Sequence, residues 1–193
     1  MIDQLAQEDS NRPVVFLEYY APTAPYSRYG RFWAAYNRSY ATYPNVIADS
    51  GHQVSSGPVD YYHVYKSMVD AELSRPARAA IQAAWQRDGD KVRFTIQLTN
   101  QSGGSLSLSN GATVHAIVYE DAHVGVTGRY VRSAVATAIT PQLADGATST
   151  FTLETGDLTG VTWDHLHYLA LADYRPGGST GAYDMLQAAW ALP

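Results

Sequence analysis

Lys91-Val92-Arg93-Phe94-Thr95-Ile96-Gln97-Leu98 alternates without a break between side chains that seek water and side chains that avoid it. Successive residues of a strand point to opposite faces, so Val92, Phe94, Ile96 and Leu98 line one face of a half-buried strand. The same period extends outward in both directions. Ile81, Ala83 and Trp85 share a face of the preceding strand, joined through Asp88-Gly89-Asp90, and Gln101-Ser102-Gly103-Gly104-Ser105 reads as a turn. Val114, Ala116 and Val118 mark a third strand; residues 129–136, 149–153, 166–172 and 185–190 give four more. Seven strands separated by Gly-containing turns predict a two-sheet antiparallel β-sandwich over residues 77–193.

Upstream of Pro76 the period changes, which predicts a separate unit over residues 1–76 with a flexible N-terminus. Val14-Val15-Phe16-Leu17-Glu18-Tyr19-Tyr20 is short, apolar and aromatic, and reads as a buried strand. Beyond a loop containing Pro22 and Pro25, rings recur at Tyr29, Phe32, Trp33, Tyr36, Tyr40 and Tyr43, three or four apart, as on one face of a helix. Residues 45–55 read as a hairpin turning on Gly51. Gly57-Pro58 opens a second, amphipathic helix carrying Tyr61, Val64, Tyr65, Met68 and Leu73. The expected fold class is therefore α+β: a small βαββα unit followed by the sandwich.

The order strand, Pro-rich loop, aromatic helix, Tyr43-Pro44, hairpin, helix resembles a shortened thioredoxin-like module. The resemblance implies that Thr23-Ala24-Pro25-Tyr26-Ser27 stands in place of the redox motif and Pro44 in place of a cis-proline. The following region resembles an immunoglobulin-like or fibronectin-like sandwich of the kind attached to such modules in bacterial envelope proteins. It implies an extracellular or cell-envelope location and a role in adhesion, scaffolding or ligand binding.

Composition removes whole classes of function. Zero cysteines exclude thiol-disulfide exchange, disulfides and thiolate metal sites. A net charge of -5 with no Lys/Arg run argues against a nucleic-acid partner, whose phosphates demand clustered basic residues. No stretch approaches the roughly 20 apolar residues that span a bilayer, and Met1-Ile2-Asp3-Gln4 lacks the pattern of a signal peptide.

Ten of the 15 tyrosines fall by residue 65, too many to bury in a unit of that size. Tyr26, Tyr29, Trp33, Tyr36, Tyr40, Tyr61 and Tyr62 are therefore the candidate binding residues, for a protein partner, for self-assembly or for a glycan. No cofactor is expected. Arg28, Arg31 and Arg38 stand beside the rings and are placed to stack on them.

Three enzyme-like readings compete with this non-enzymatic one. His115, His165 and His167 fall on outward positions of neighbouring strands and form a candidate metal or hydrolytic face; the same face carries Ile117, Tyr119, Leu169 and Leu171, which reads instead as an interface covered by the first unit. Ser50, His52, His63 and Asp60 supply the parts of a serine hydrolase, against turn chemistry at Ser50-Gly51. Glu120-Asp121 with Asp88 or Asp90 offers paired carboxylates, against solvated strand ends. Asn37 and Asn100 begin glycosylation sequons.

Overall fold

The computed structural model describes residues 2–19, 28–123 and 128–193. The alternating segments become β3 (Ala79–Asp88), β4 (Lys91–Asn100), β5 (Thr113–Glu120), β6 (Tyr130–Ala138), β7 (Thr148–Glu154), β8 (Leu166–Tyr174) and β9 (Asp184–Leu192). Before them come α1 (Ile2–Glu8), α2 (Tyr29–Ala35), the hairpin β1 (Asn45–Ala48) and β2 (Gln53–Ser56), and α3 (Tyr61–Leu73).

The seven strands form one sheet in the order β6-β5-β8-β9-β3-β4-β7, not two separate antiparallel sheets. The expected immunoglobulin-like antiparallel sandwich is corrected by a single join. Ala83 pairs with Ala191 and Ala84 with Leu192 in parallel, which makes the sheet mixed and continuous. The sheet curls so that its concave face closes on itself. Trp85 of β3 stacks on Tyr168 of β8 at 3.8 Å, and Val92, Phe94, Ile96 and Leu98 share one core with Val114, Ala116, Val118, Ala170 and Leu186. Burying these inward positions, at roughly 2 kcal/mol per large apolar side chain, is the main stabilising term.

The thioredoxin-like βαββα unit is also corrected. Val14–Tyr19 does not form the first strand of a sheet of its own. It runs beside β6, where the Glu18 N–H donates to Arg129 O at 3.0 Å and the Val131 N–H donates to Glu18 O at 3.0 Å. Val15, Leu17 and Tyr19 pack onto the outer face of the main sheet, against Ile117, Tyr119, Val131, Leu169 and Leu171. Phe16 points the other way, into a small core built on Leu5, Tyr65 and Met68. Apart from Glu18 the strap is apolar, because it lies between two cores and each of its faces is partly covered. The expected flexible N-terminus is instead α1, held by the fully buried Leu5.

The ring-bearing helix is shorter than its pattern. α2 ends at Ala35, and Tyr36 is already extended, ahead of Asn37 and Ser39, whose side chains compete for backbone hydrogen bonds. The Tyr43-Pro44 peptide is cis. In the β1–β2 turn three successive residues have positive φ: Asp49 (44°), Ser50 (63°) and Gly51 (115°). Only glycine suits the last of these, because a Cβ there would lie 2.9 Å from the backbone oxygen of Arg31. That close approach brings α2 against the turn. No helix among the described residues is long and apolar enough to cross a membrane.

Candidate functional site

The ring surface is built by α2. Phe32 faces inward and is buried, while Tyr29, Trp33 and Tyr36 pack around it with centroid separations of 4.8–6.1 Å. Trp33 is 39% exposed and Tyr40, beyond the helix end, 74%. Arg38 lies 5.8 Å over the Tyr36 ring. Gly30, between Tyr29 and Trp33 in sequence, leaves open space where a side chain would stand. Tyr61 and Tyr62 do not join this surface. They sit on α3, where Tyr61 tilts against Tyr65 and the Tyr62 hydroxyl donates to Glu8 at 2.7 Å. Tyr26 lies outside the described residues, as does the whole stretch 23–27 assigned to the redox-motif position.

The three candidate metal-ligating histidines do not converge. Register pairs His115 with Leu171 but Tyr119 with His167, so the two imidazoles stand four residues apart along the strands, about 13 Å. His165 is exposed in the turn preceding β8. Among the described residues no group of three or more metal-ligating side chains is brought together. The competing expectation describes the face better: Ile117, Tyr119, Leu169 and Leu171 are buried beneath the strap.

His115 belongs instead to a buried ionic seam where α2 meets the sheet. Arg31 clamps Asp173 with two hydrogen bonds, 3.0 and 2.8 Å, while Arg28 reaches to 3.6 Å of the same carboxylate and donates to Ser50 Oγ at 2.8 Å. His115 Nε2 lies 3.2 Å from Asp173 Oδ1 and 3.0 Å from Arg31 Nη2. Burial pushes the His115 pKa down to about 4; Asp173 pulls it up, and the two guanidiniums add to the lowering. The ring is therefore neutral, and in either tautomer its Nδ1 has no partner. Burial alone would raise Asp173, but His115, Arg31 and Arg28 hold it far below the usual carboxylate range.

A second cluster adjoins the first through the same turn. Arg75 lies among Glu72 (2.7 Å), Asp184 (2.5 Å) and Asp49 (3.7 Å), and His52 Nδ1 bonds Glu72 at 2.7 Å. Burial, then the neighbouring Glu72, raise Asp49 to about 6. Burial works upward on Glu72 too, but hydrogen bonds from His52, Arg75 and Gln53 keep it below its ordinary value.

These attachments occupy the groups that the hydrolase readings would use. Ser50 is buried and held by Arg28, His52 is committed to Glu72, and His63 Nδ1 bonds Asp60, the N-cap of α3, at 2.7 Å. Glu120 is taken by Arg132 at 2.6 Å and by the Thr162 N–H at 2.7 Å, Asp121 by His167, Asp88 by Arg93 and Asp90 by Arg87. Asn100 is buried with its amide donated to Gly104 O and Leu143 O, so its sequon has no accessible acceptor.

Sequence reasoning missed Trp190. It stands on the outer face of β9, 49% exposed, beside Tyr119 and His167; His167 bonds Asp121, which with Asp3, His123 and Arg129 lines part of a cleft of about 370 Å³. The alternating run to which it belongs was legible; its neighbours on β5 and β8 were not.

No protein-family model matches this chain, and no curated protein sequence does. Among solved structures it is similar to a structural-genomics target (14% identity, 60% of this chain and 86% of that one, TM-score 0.32). It is also similar to a β-glucosidase from Streptomyces venezuelae solved with D-glucose (11%, 60% and 15%, TM-score 0.31) and to a sporulation control protein from Bacillus subtilis (14%, 62% and 51%, TM-score 0.31). The chain thus aligns with only a small part of the enzyme's length. Likenesses of this size carry no conclusion about fold or activity.

Proposed function

We propose that this chain is a non-enzymatic binding protein whose contact surface is the ring group of α2 and the segment after it, and whose partner is a protein. The observation that carries this reading is the pairing of a buried anchor, Phe32, with exposed rings at Trp33 on the same helix and at Tyr40 in the segment after it. Rings held by stacking lose little entropy on binding and bury a large area, which is why aromatic residues and arginine concentrate in recognition surfaces. Arg38 adds a planar cation at its margin. The titratable groups that would serve an enzyme are committed to ion pairs in the seam and at the strand ends. An extracellular or cell-envelope setting belongs to the same proposal, and fractionation of the producing cells tests it.

The test is a pull-down with immobilised protein from the surface fraction of those cells. It compares wild type with a Trp33→Ala/Tyr40→Ala double variant, and each captured band is identified and its affinity remeasured with purified components. A purified partner bound at least tenfold more weakly by the double variant supports the reading. Equal affinity for both, or turnover of a substrate at the seam, overturns it.

A further inference from the structure

The outer face of β9 carries a second aromatic group, distant in sequence from α2. Leu169 of β8 pairs with Trp190 of β9, and His167 of β8 pairs with Tyr119 of β5, so three neighbouring strands bring an indole, an imidazole and a phenol to one place. Tyr119 and His167 stack at 4.7 Å with 16° between planes, and the indole centroid lies 6.2 and 6.3 Å from them. The strap covers Tyr119 while Trp190 on the same face is half exposed, so the indole is the open edge of a supported ring group.

Beside this group is polar ground. His167 Nε2 bonds Asp121 Oδ2 at 2.8 Å, and Asp121 itself lines the 370 Å³ cleft together with His123, Arg129 and Asp3. Arg129 and Asp3 are paired at 2.9 Å. Burial, and then the nearby Asp121, raise the Tyr119 hydroxyl to about 12, which keeps it a donor at any physiological pH.

Three ligand chemistries can be weighed against this arrangement. A polyanion would meet Asp3 and Asp121 with one guanidinium already paired. An apolar peptide would strip water from carboxylates that it could not bond, a cost of a few kcal/mol for each group. A neutral sugar presents C–H groups on one ring face, suited to an indole, and hydroxyls at its rim that donate to carboxylates and accept from imidazole or guanidinium. The cleft also falls within the roughly 300–1,000 Å³ typical of small-ligand sites.

We propose that Trp190, with His167 and Asp121, forms a binding site for a neutral saccharide, the indole stacking on the ring and Asp121 accepting its hydroxyls. This site shares no residue with the α2 surface and does not rest on the protein-binding reading.

Isothermal titration of the purified protein with maltotriose, cellotriose, chitotriose and mannotriose tests it. At least one of the four is expected to bind, with Trp190→Ala weakening that binding at least tenfold, Asp121→Asn weakening it severalfold and Trp33→Ala/Tyr40→Ala leaving it unchanged. Trp190 is half exposed, so its variant is expected to retain the wild-type circular dichroism spectrum; Asp121→Asn gives an independent reading. The proposal is overturned if none of the four binds the wild-type protein, if Trp190→Ala binds as wild type does, or if only the α2 double variant loses binding. The last outcome would place sugar recognition on the rings of α2.

Discussion

The two ends of the same sheet treat their outer faces in opposite ways. On β5, His115, Ile117 and Tyr119 point outward and are buried; on β4, Arg93, Thr95 and Gln97 point outward and are exposed. Beyond β4 the bare face continues through Thr148, Thr150 and Thr152 of β7, in register with Thr99, Gln97 and Thr95. One end carries the strap, α2 and the ionic seam; at the other, among the described residues, the outward side chains are exposed. Outward positions therefore record what covers a strand: rings and aliphatics where chain lies above, threonine, glutamine and solvated ion pairs such as Arg93–Glu154 where the side chains are exposed.

Removing the carboxylate at the centre of the covered face is expected to have the largest effect. Asp173→Ala leaves Arg28 and Arg31 buried without their counter-ion, and about 4 kcal/mol of stability should be lost in urea unfolding. A loss under 1 kcal/mol would mean that water reaches the seam, and the contrast between faces would fail. The apolar half of the same face comes next. Ile117 is fully buried between sheet and strap, and Ile117→Ala should cost about 3 kcal/mol by lost burial and the cavity left behind.

On the covered face acid should act through His115. His115 has a folded pKa near 4 against an unfolded value of 6.5, so its neutral form stabilises the fold above pH 6.5 and that stability is lost as pH falls toward 4. In an Asp49→Asn background, which removes an opposing titration, denaturation midpoints at pH 7, 5.5 and 4.5 should show a fall worth roughly 2 kcal/mol, flattened when His115→Gln is added. Asp49 acts in the opposite direction. Its folded pKa near 6 lies above its ordinary 3.8, so its contribution is full below pH 3.8 and is lost as pH rises through 6. Asp49→Asn should therefore gain up to about 3 kcal/mol at pH 7.5 and nothing at pH 3.5, which separates the two titrations.

The bare face supplies the smallest effect. Gln97→Ala should change stability by less than about 0.5 kcal/mol, since the side chain is exposed. A cost above 1 kcal/mol would show that this face is covered in solution, and equilibrium sedimentation would then reveal by what.

Much of this contrast was legible beforehand. Val114–Tyr119 is apolar at nearly every position whereas 91–98 alternates, and the difference marks a strand buried on both sides against one buried on a single side. The two helices near Tyr29 and Tyr61 and the hairpin at Gly51 were equally readable, because ring spacing, Pro58 and the turn residues act locally. The end of α2 was misplaced because rings at Tyr40 and Tyr43 continue the helical period after Asn37 and Ser39 have ended the helix. His115 was read as a ligand because an outward histidine on a strand has the same signature whether it meets a metal, water or Asp173, 58 residues away in sequence.

The sequence by itself determined the strands, their inward faces, the absence of thiol chemistry and the excess of rings near the N-terminus, since each follows from residue type and short-range period. Tertiary structure alone decided that β3 and β9 join in parallel into one sheet, that 14–19 becomes a strap between two cores, and that Arg31 meets Asp173 and Trp190 meets His167. Those pairings depend on register and on which face covers which, and such contacts between residues far apart in the chain leave no periodic trace in it.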